Sequence, residues 1–174
     1  MTHRAGILLG SNIEPLANIM AAVGVLRASP HLAIVSCSSV YRTPAVGPPG
    51  QPPFANAAVL VDTSLEPEEL RSELRKLEHL LGRVRTDDRF APRTIDLDLL
   101  FFDDVAGDFR EWTLPDDALT QPHALVPMAE IAPNWVPAGG RRTLGELATT
   151  VDRSTVENLG SVVDGIQAAF DEET

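Results

Sequence analysis

The chain has 174 residues, which suits one domain with its own core rather than several. Its 44% hydrophobic residues form no run near the roughly 20 that a membrane helix needs, and Met1–Asn12 lacks the apolar stretch and cleavage site of a signal peptide. A net charge of −11 excludes a nonspecific nucleic-acid binder, and a lone cysteine, Cys37, excludes a disulfide framework or cysteine-built metal site and suits a reducing cytoplasm.

Arg4–Gly10 reads as a short buried strand. Ser11-Asn12-Ile13-Glu14 has capping-box spacing, and Pro15 fits the first turn of a helix running to about Ala28. Leu16, Ile19, Met20, Val23 and Leu26 form its apolar stripe. His31–Arg42, with its β-branched and small residues, predicts one strand. Thr43–Pro53 holds five prolines and two glycines, so it is a loop. Phe54–Asp62 is a third strand. Glu66–Leu81 is the clearest helix, with Leu70, Leu74, Leu77 and Leu81 facing inward. Thr94–Phe102 predicts a fourth strand, Trp112–Leu114 a short one, and His123–Ile131 and Leu144–Thr150 further helical turns. Residues 1–150 are expected to form the domain. Residues 151–174 are expected to form an extension with a short helix carrying Val162, Val163, Ile166 and Phe170, and a frayed end.

Strand, helix, strand, strand, helix, strand is the split β-α-β-β-α-β order of a ferredoxin-like α+β sandwich, an antiparallel sheet with helices packed on it. Helices would cover one face and leave the other for a site built by loops.

Three features carry chemistry. In Thr94-Ile95-Asp96-Leu97-Asp98-Leu99, strand alternation points Asp96 and Asp98 to one face together. Paired carboxylates at that spacing suit Mg²⁺ and the phosphates it carries, or are two aspartates on a solvated sheet face. Arg83, Arg85, Arg89 and Arg93 crowd one stretch of a chain whose only lysine is Lys76. Guanidinium forks in that number suit a small polyanion; a solvated helix end accounts for Arg83 but not for all four. Phe54 and Asn56 share a strand face beside the Pro/Gly loop. They read either as a ring and amide for a flat heterocycle, or as a core phenylalanine and a turn asparagine. Glu78 lies on the polar side of its helix and reads as a surface residue.

LGSN at 9–12, YRTPAVG at 41–47, QPPFANAAV at 51–59, LEHLLGRVR at 77–85, RFAPRTIDLDLLFF at 89–102 and PMAEIAP at 127–133 together resemble the 6-hydroxymethyl-7,8-dihydropterin pyrophosphokinase family of folate biosynthesis. The resemblance implies transfer of diphosphate from ATP to the hydroxymethyl oxygen of the pterin, with AMP released. It implies that Asp96 and Asp98 hold two Mg²⁺ ions and that Arg83 and Arg93 bind phosphate. Arg85 and Arg89 would lie on a mobile catalytic loop, and Glu78, Leu99 and Asp116 near the nucleotide. Thr43, Ala45, Gly47, Phe54, Asn56 and His123 would form the pterin pocket. Its partners would be ATP and a reduced pterin, with no nucleic acid and no membrane, in a cytoplasmic monomer or weak homodimer. The chain departs from the family pattern at Thr86 and Phe90, and more sharply at Asp116, Gln121 and His123, where a His, an Arg and a stacking ring are usual. Those departures keep two alternatives open. One is a homologue retuned to another pterin-like alcohol, and the other a non-catalytic module that binds a nucleotide or pterin. On the paired aspartates alone a nuclease is also conceivable, although the acidic chain disfavours a long nucleic-acid substrate.

Overall fold

Strand β1 (His3–Ser11) is apolar on both faces, and its last seven residues are buried, as a central strand requires. It pairs antiparallel with β4 (Phe54–Thr63) on one side and with β5 (Asp96–Phe102) on the other. In the computed structural model, which describes residues 1–88 and 90–161, these strands belong to one six-stranded sheet. Beyond β4 come β3 (Ser39–Thr43) and β8 (Glu157–Ser161), while β2 (Leu32–Cys37) pairs along the other half of β4. The order β5–β1–β4–β3, with all pairings antiparallel, is the ferredoxin-like arrangement.

The single strand expected over His31–Arg42 is divided at Ser38. Its N–H donates to the Ala58 carbonyl at 2.9 Å, and its hydroxyl accepts the Ala58 N–H at 2.8 Å. The side chain replaces one ladder bond and bends the strand.

Helices α1 (Pro15–Ala28) and α2 (Pro67–Leu80) cover one sheet face. Ile19, Val23, Leu70 and Leu74 pack there against Ile7, Leu9, Ile95 and Leu97. α2 begins with a carboxylate clasp: Glu69 accepts the Glu66 N–H at 2.9 Å. α1 corrects two expectations. Ser11 belongs to β1 and donates to the Ile13 carbonyl, so it caps nothing; Glu14, at φ 40°, precedes the helix instead. Leu16 is half exposed, so it stands outside the stripe that α1 presents to the sheet.

The second face is not left free. A hairpin of β6 (Gly107–Phe109) and β7 (Trp112–Leu114) follows β5, and then a 3-10 turn over Asp117–Thr120. α3 (Pro122–Ile131) and α4 (Leu144–Ala148) come after it. They close a second core in which Leu8, Ala58, Leu60, Leu100 and Phe101 meet Leu125, Met128 and Leu144. Phe101 stacks on Trp135 at 3.8 Å between ring centroids. Because β1 and β4 are apolar on both sides, no alternation in them announced this cover. It stops short of one end of the sheet, and that end holds the site.

Among the described residues, no helix is long and apolar enough to cross a membrane. β8 is a strand the sequence did not announce. The helix expected around Val162, Val163, Ile166 and Phe170 lies outside the described residues.

Candidate active site

Strand register builds the floor of the site. Tyr41 of β3 lies opposite Asn56 of β4, Asn56 opposite Gly10 of β1, and Gly10 opposite Asp96 of β5. One step along, Leu8 faces Asp98. The row therefore runs from an amide, across a bare glycine, to a pair of carboxylates. A Cβ on Gly10 would stand 3.3 Å from Asn56 Oδ1 and 4.0 Å from the Phe54 ring, so hydrogen keeps this floor open. Gly10 carried no functional signal by itself; its meaning comes only from the strands on either side.

Above this row is a cleft of about 550 Å³. At one end lie Thr43, Ala45, Phe54 and Asn56, with His123 from the first turn of α3; at the other lie Arg93, Asp96 and Asp98. The buried Asn56 amide donates to Thr43 Oγ1 at 2.8 Å. That bond fixes which way the amide faces. Burial favours the uncharged form of His123, with Asp116 pulling the other way, so this position offers a flat neutral ring.

Gly47 does not stand among these cleft residues. It lies at φ 129°, and a Cβ there would come 2.5 Å from the Phe90 ring. Gln51 donates from Nε2 to the Phe90 carbonyl at 2.6 Å. The Pro/Gly loop and the arginine-rich loop are therefore in contact through Phe90.

At the acidic end, Arg93 Nη1 donates to Asp96 Oδ2 at 2.6 Å, and Arg83 Nη2 lies 3.7 Å from Asp96 Oδ1. The Arg93 backbone is clamped by Asn12, whose side-chain oxygen accepts the Arg93 N–H at 2.7 Å and whose N–H donates to the Arg93 carbonyl at 3.1 Å. This gives the LGSN segment its structural role. Buried Arg83 Nε has no hydrogen-bond partner among the described residues, so it can donate to an anion. Arg89 lies outside the described residues.

Asp98 is exposed within the cleft, whose walls surround it with protein atoms. Loss of water and the charges of Asp96, Asp116 and Glu78 push its pKa up to about 8, with Arg93 opposing. Two hard oxygen donors in so anionic a corner fit a divalent cation of the Mg²⁺ kind. Among the described residues no group of three or more His, Cys, Asp or Glu is placed to hold an ion.

Three assignments change. Glu78 is not a surface residue: it is 1% exposed. Its Oε1 accepts the Leu97 N–H at 2.8 Å and its Oε2 accepts Arg85 Nη2 at 2.5 Å. Burial raises its pKa, with the Leu97 N–H and Arg85 opposing. Asp116 is occupied as an N-cap: Oδ1 accepts the Ala118 N–H at 2.8 Å at the head of the 3-10 turn. Leu99 packs in the core under α1 and α2, so its side chain is turned away from the cleft. The cleft also brings in Leu8, Gln51, Phe90, Gln121, Thr155 and Val156, which sequence reasoning did not place there.

Residues 6–133 match the family model described as 7,8-dihydro-6-hydroxymethylpterin-pyrophosphokinase. A Synechocystis sp. protein named 2-amino-4-hydroxy-6-hydroxymethyldihydropteridine pyrophosphokinase is 39% identical over 156 residues, spanning 88% of this chain and 79% of that one. Its namesake from Methylorubrum extorquens is 39% identical over 165 residues, spanning 90% and 98%. A Plasmodium falciparum HPPK-DHPS crystal structure with pteroate superposes with a TM-score of 0.66 at 14% identity. The match covers 86% of this chain and 42% of that longer one, and it speaks to the fold alone.

Proposed function

Because the chain belongs to the 7,8-dihydro-6-hydroxymethylpterin-pyrophosphokinase family, we propose that the cleft between Asn56 and Asp98 is where this diphosphotransferase moves pyrophosphate from ATP to hydroxymethyldihydropterin. The observation that carries this placement is the cross-strand row itself: an end lined by Phe54 and the Asn56 amide and an acidic, arginine-flanked end share one open cleft.

The pterin lies at the Phe54 end. Asn56, its amide held by Thr43, reads the hydrogen-bonding edge of the ring, while Phe54 and neutral His123 contact its faces. Thr43 and Ala45 close the side. The triphosphate lies at the other end, against Arg83 and Arg93. Asp96 and Asp98 would hold the two Mg²⁺ ions, which would supply charge neutralisation at the triphosphate. The hydroxymethyl oxygen bonds to that phosphorus, the bond from phosphorus to the α,β-bridging oxygen breaks, AMP leaves and the hydroxyl proton passes to water. The protein contributes positioning and fixed charge rather than a covalent intermediate. Arg85 acts from the arginine-rich loop beside the phosphates, which Phe90 couples to the loop over the pterin, and Arg89, outside the described residues, is proposed as a further phosphate-binding group. Glu78 and Asp116 act at one remove, through the segments they fix. The enzyme is proposed to work in the cytoplasm as a monomer or weak homodimer.

AMP formation from MgATP is expected to require the pterin alcohol. Asn56→Ala is expected to weaken pterin binding by about tenfold or more and to leave ATP binding within about twofold, because the lost amide is buried and faces only the acceptor end. Calorimetry with each ligand checks this. Equal losses for both, or AMP released at the same rate without pterin, would overturn the placement.

A further inference from the structure

The family match ends at residue 133, yet residues 155 and 156 line the cleft. They arrive on a formed turn. The Asp152 carboxylate accepts the Ser154 N–H at 2.9 Å, and the Arg153 carbonyl accepts the Val156 N–H at 3.0 Å. β8 then pairs with β3, placing Glu157 opposite Arg42, and Arg42 Nε donates to the Glu157 carboxylate at 2.9 Å. That pair stands one residue from Thr43, the hydroxyl that holds Asn56, so the strand carrying the pterin amide's partner also anchors the incoming segment. Val156 is half-buried between exposed neighbours, which is what one side chain turned into a cleft looks like.

We propose that Thr155 and Val156 form the side wall of the acceptor pocket and limit the size of the ring that enters it. The proposal rests on the acceptor reading of this cleft. Both side chains are β-branched, hence stiff about χ1, so the backbone sets where the wall stands. The backbone in turn is set by the β3–β8 ladder and the Arg42–Glu157 pair. The wall enters beside β3, the strand of Thr43, whereas Asp96, Asp98 and Arg93 approach from β5 and its preceding loop.

The test compares Val156→Trp with wild type, measuring KM for ATP, KM for the pterin alcohol, kcat and melting temperature. The expected result is a pterin KM raised about tenfold or more, with ATP KM within about twofold and the melting point unchanged. Should Val156→Trp fail to fold, Thr155→Trp at the exposed neighbouring position is expected to give the same split. Arg42→Glu alone is expected to raise the pterin KM, and adding Glu157→Arg to restore it. Equal changes in both KM values, or a lower melting point with KM untouched, would overturn the proposal and leave β8 a scaffold. Asn56→Ala, run alongside, separates the two readings. If it weakens the pterin and Val156→Trp does not, the wall alone falls. If neither does, the acceptor reading falls with it.

Discussion

Asp98→Ala is expected to lose at least about a thousandfold in turnover, which is about 4 kcal/mol of transition-state stabilisation, while melting no lower than wild type in EDTA. The two halves of this result have one cause. Without a cation, loss of water and the neighbouring charges of Asp96, Asp116 and Glu78 disfavour the ionised form of Asp98 and hold its pKa up at about 8. Removing the carboxylate relieves repulsion in the empty protein. On the proposed assignment the same carboxylate would be half of the protein's donor pair for MgATP, and no described neighbour would make good its loss. Asp98→Asn keeps the shape and removes the charge, so it is expected to follow the alanine variant in turnover. Steady-state AMP formation and thermal melting with and without Mg²⁺ check both halves. Turnover within a few-fold of wild type would remove Asp98 from the metal site, and a clear fall in melting point would make it structural.

The second large effect is expected at Glu78. Glu78→Ala leaves the Leu97 N–H without its buried acceptor and frees Arg85, at a cost of about 2–4 kcal/mol in stability. Leu97 lies between Asp96 and Asp98, so the same substitution loosens the strand that presents both carboxylates. Turnover is expected to fall about 10- to 100-fold, through positioning and not through contact with substrate. Glu78→Gln can still accept the Leu97 N–H. It is expected to recover most of the stability but to leave Arg85 weakly held, so kcat stays low while the melting point returns. Denaturant unfolding and kinetics on the two variants check the split. A change under about 0.5 kcal/mol in Glu78→Ala would show that the brace contributes nothing.

Much of this site was legible in the sequence because two-residue periodicity in a strand is unambiguous. Asp96 and Asp98 fall on the face opposite Ile95, Leu97 and Leu99, as alternation requires. Phe54 and Asn56 follow the same rule. Glu78 was misread although a signal was present. It stands four residues after Leu74 and next to Leu77, inside the apolar stripe of α2 rather than opposite it. Its charge drew attention away from its phase. Gly10 and the wall at 155–156 had no local signal, because each owes its position to pairing with strands distant in sequence. The cap that Asp116 forms on the Ala118 N–H shows only in the folded 3-10 turn. The capping box at Ser11 failed for the opposite reason: a good local motif yielded to the extra length of the central strand.

The row Asn56–Gly10–Asp96 also acts as a ruler. Neighbouring strands are held about 4.8 Å apart by their hydrogen bonds, so the amide and the carboxylate are separated by two such steps, about 10 Å. This distance belongs to the peptide ladder and not to any side chain. A substitution at either end changes the side chain that reaches into the cleft, but it leaves the backbone spacing between the two positions as the ladder sets it. A new acceptor would have to bring its alcohol to the same mark, whatever else about it differed.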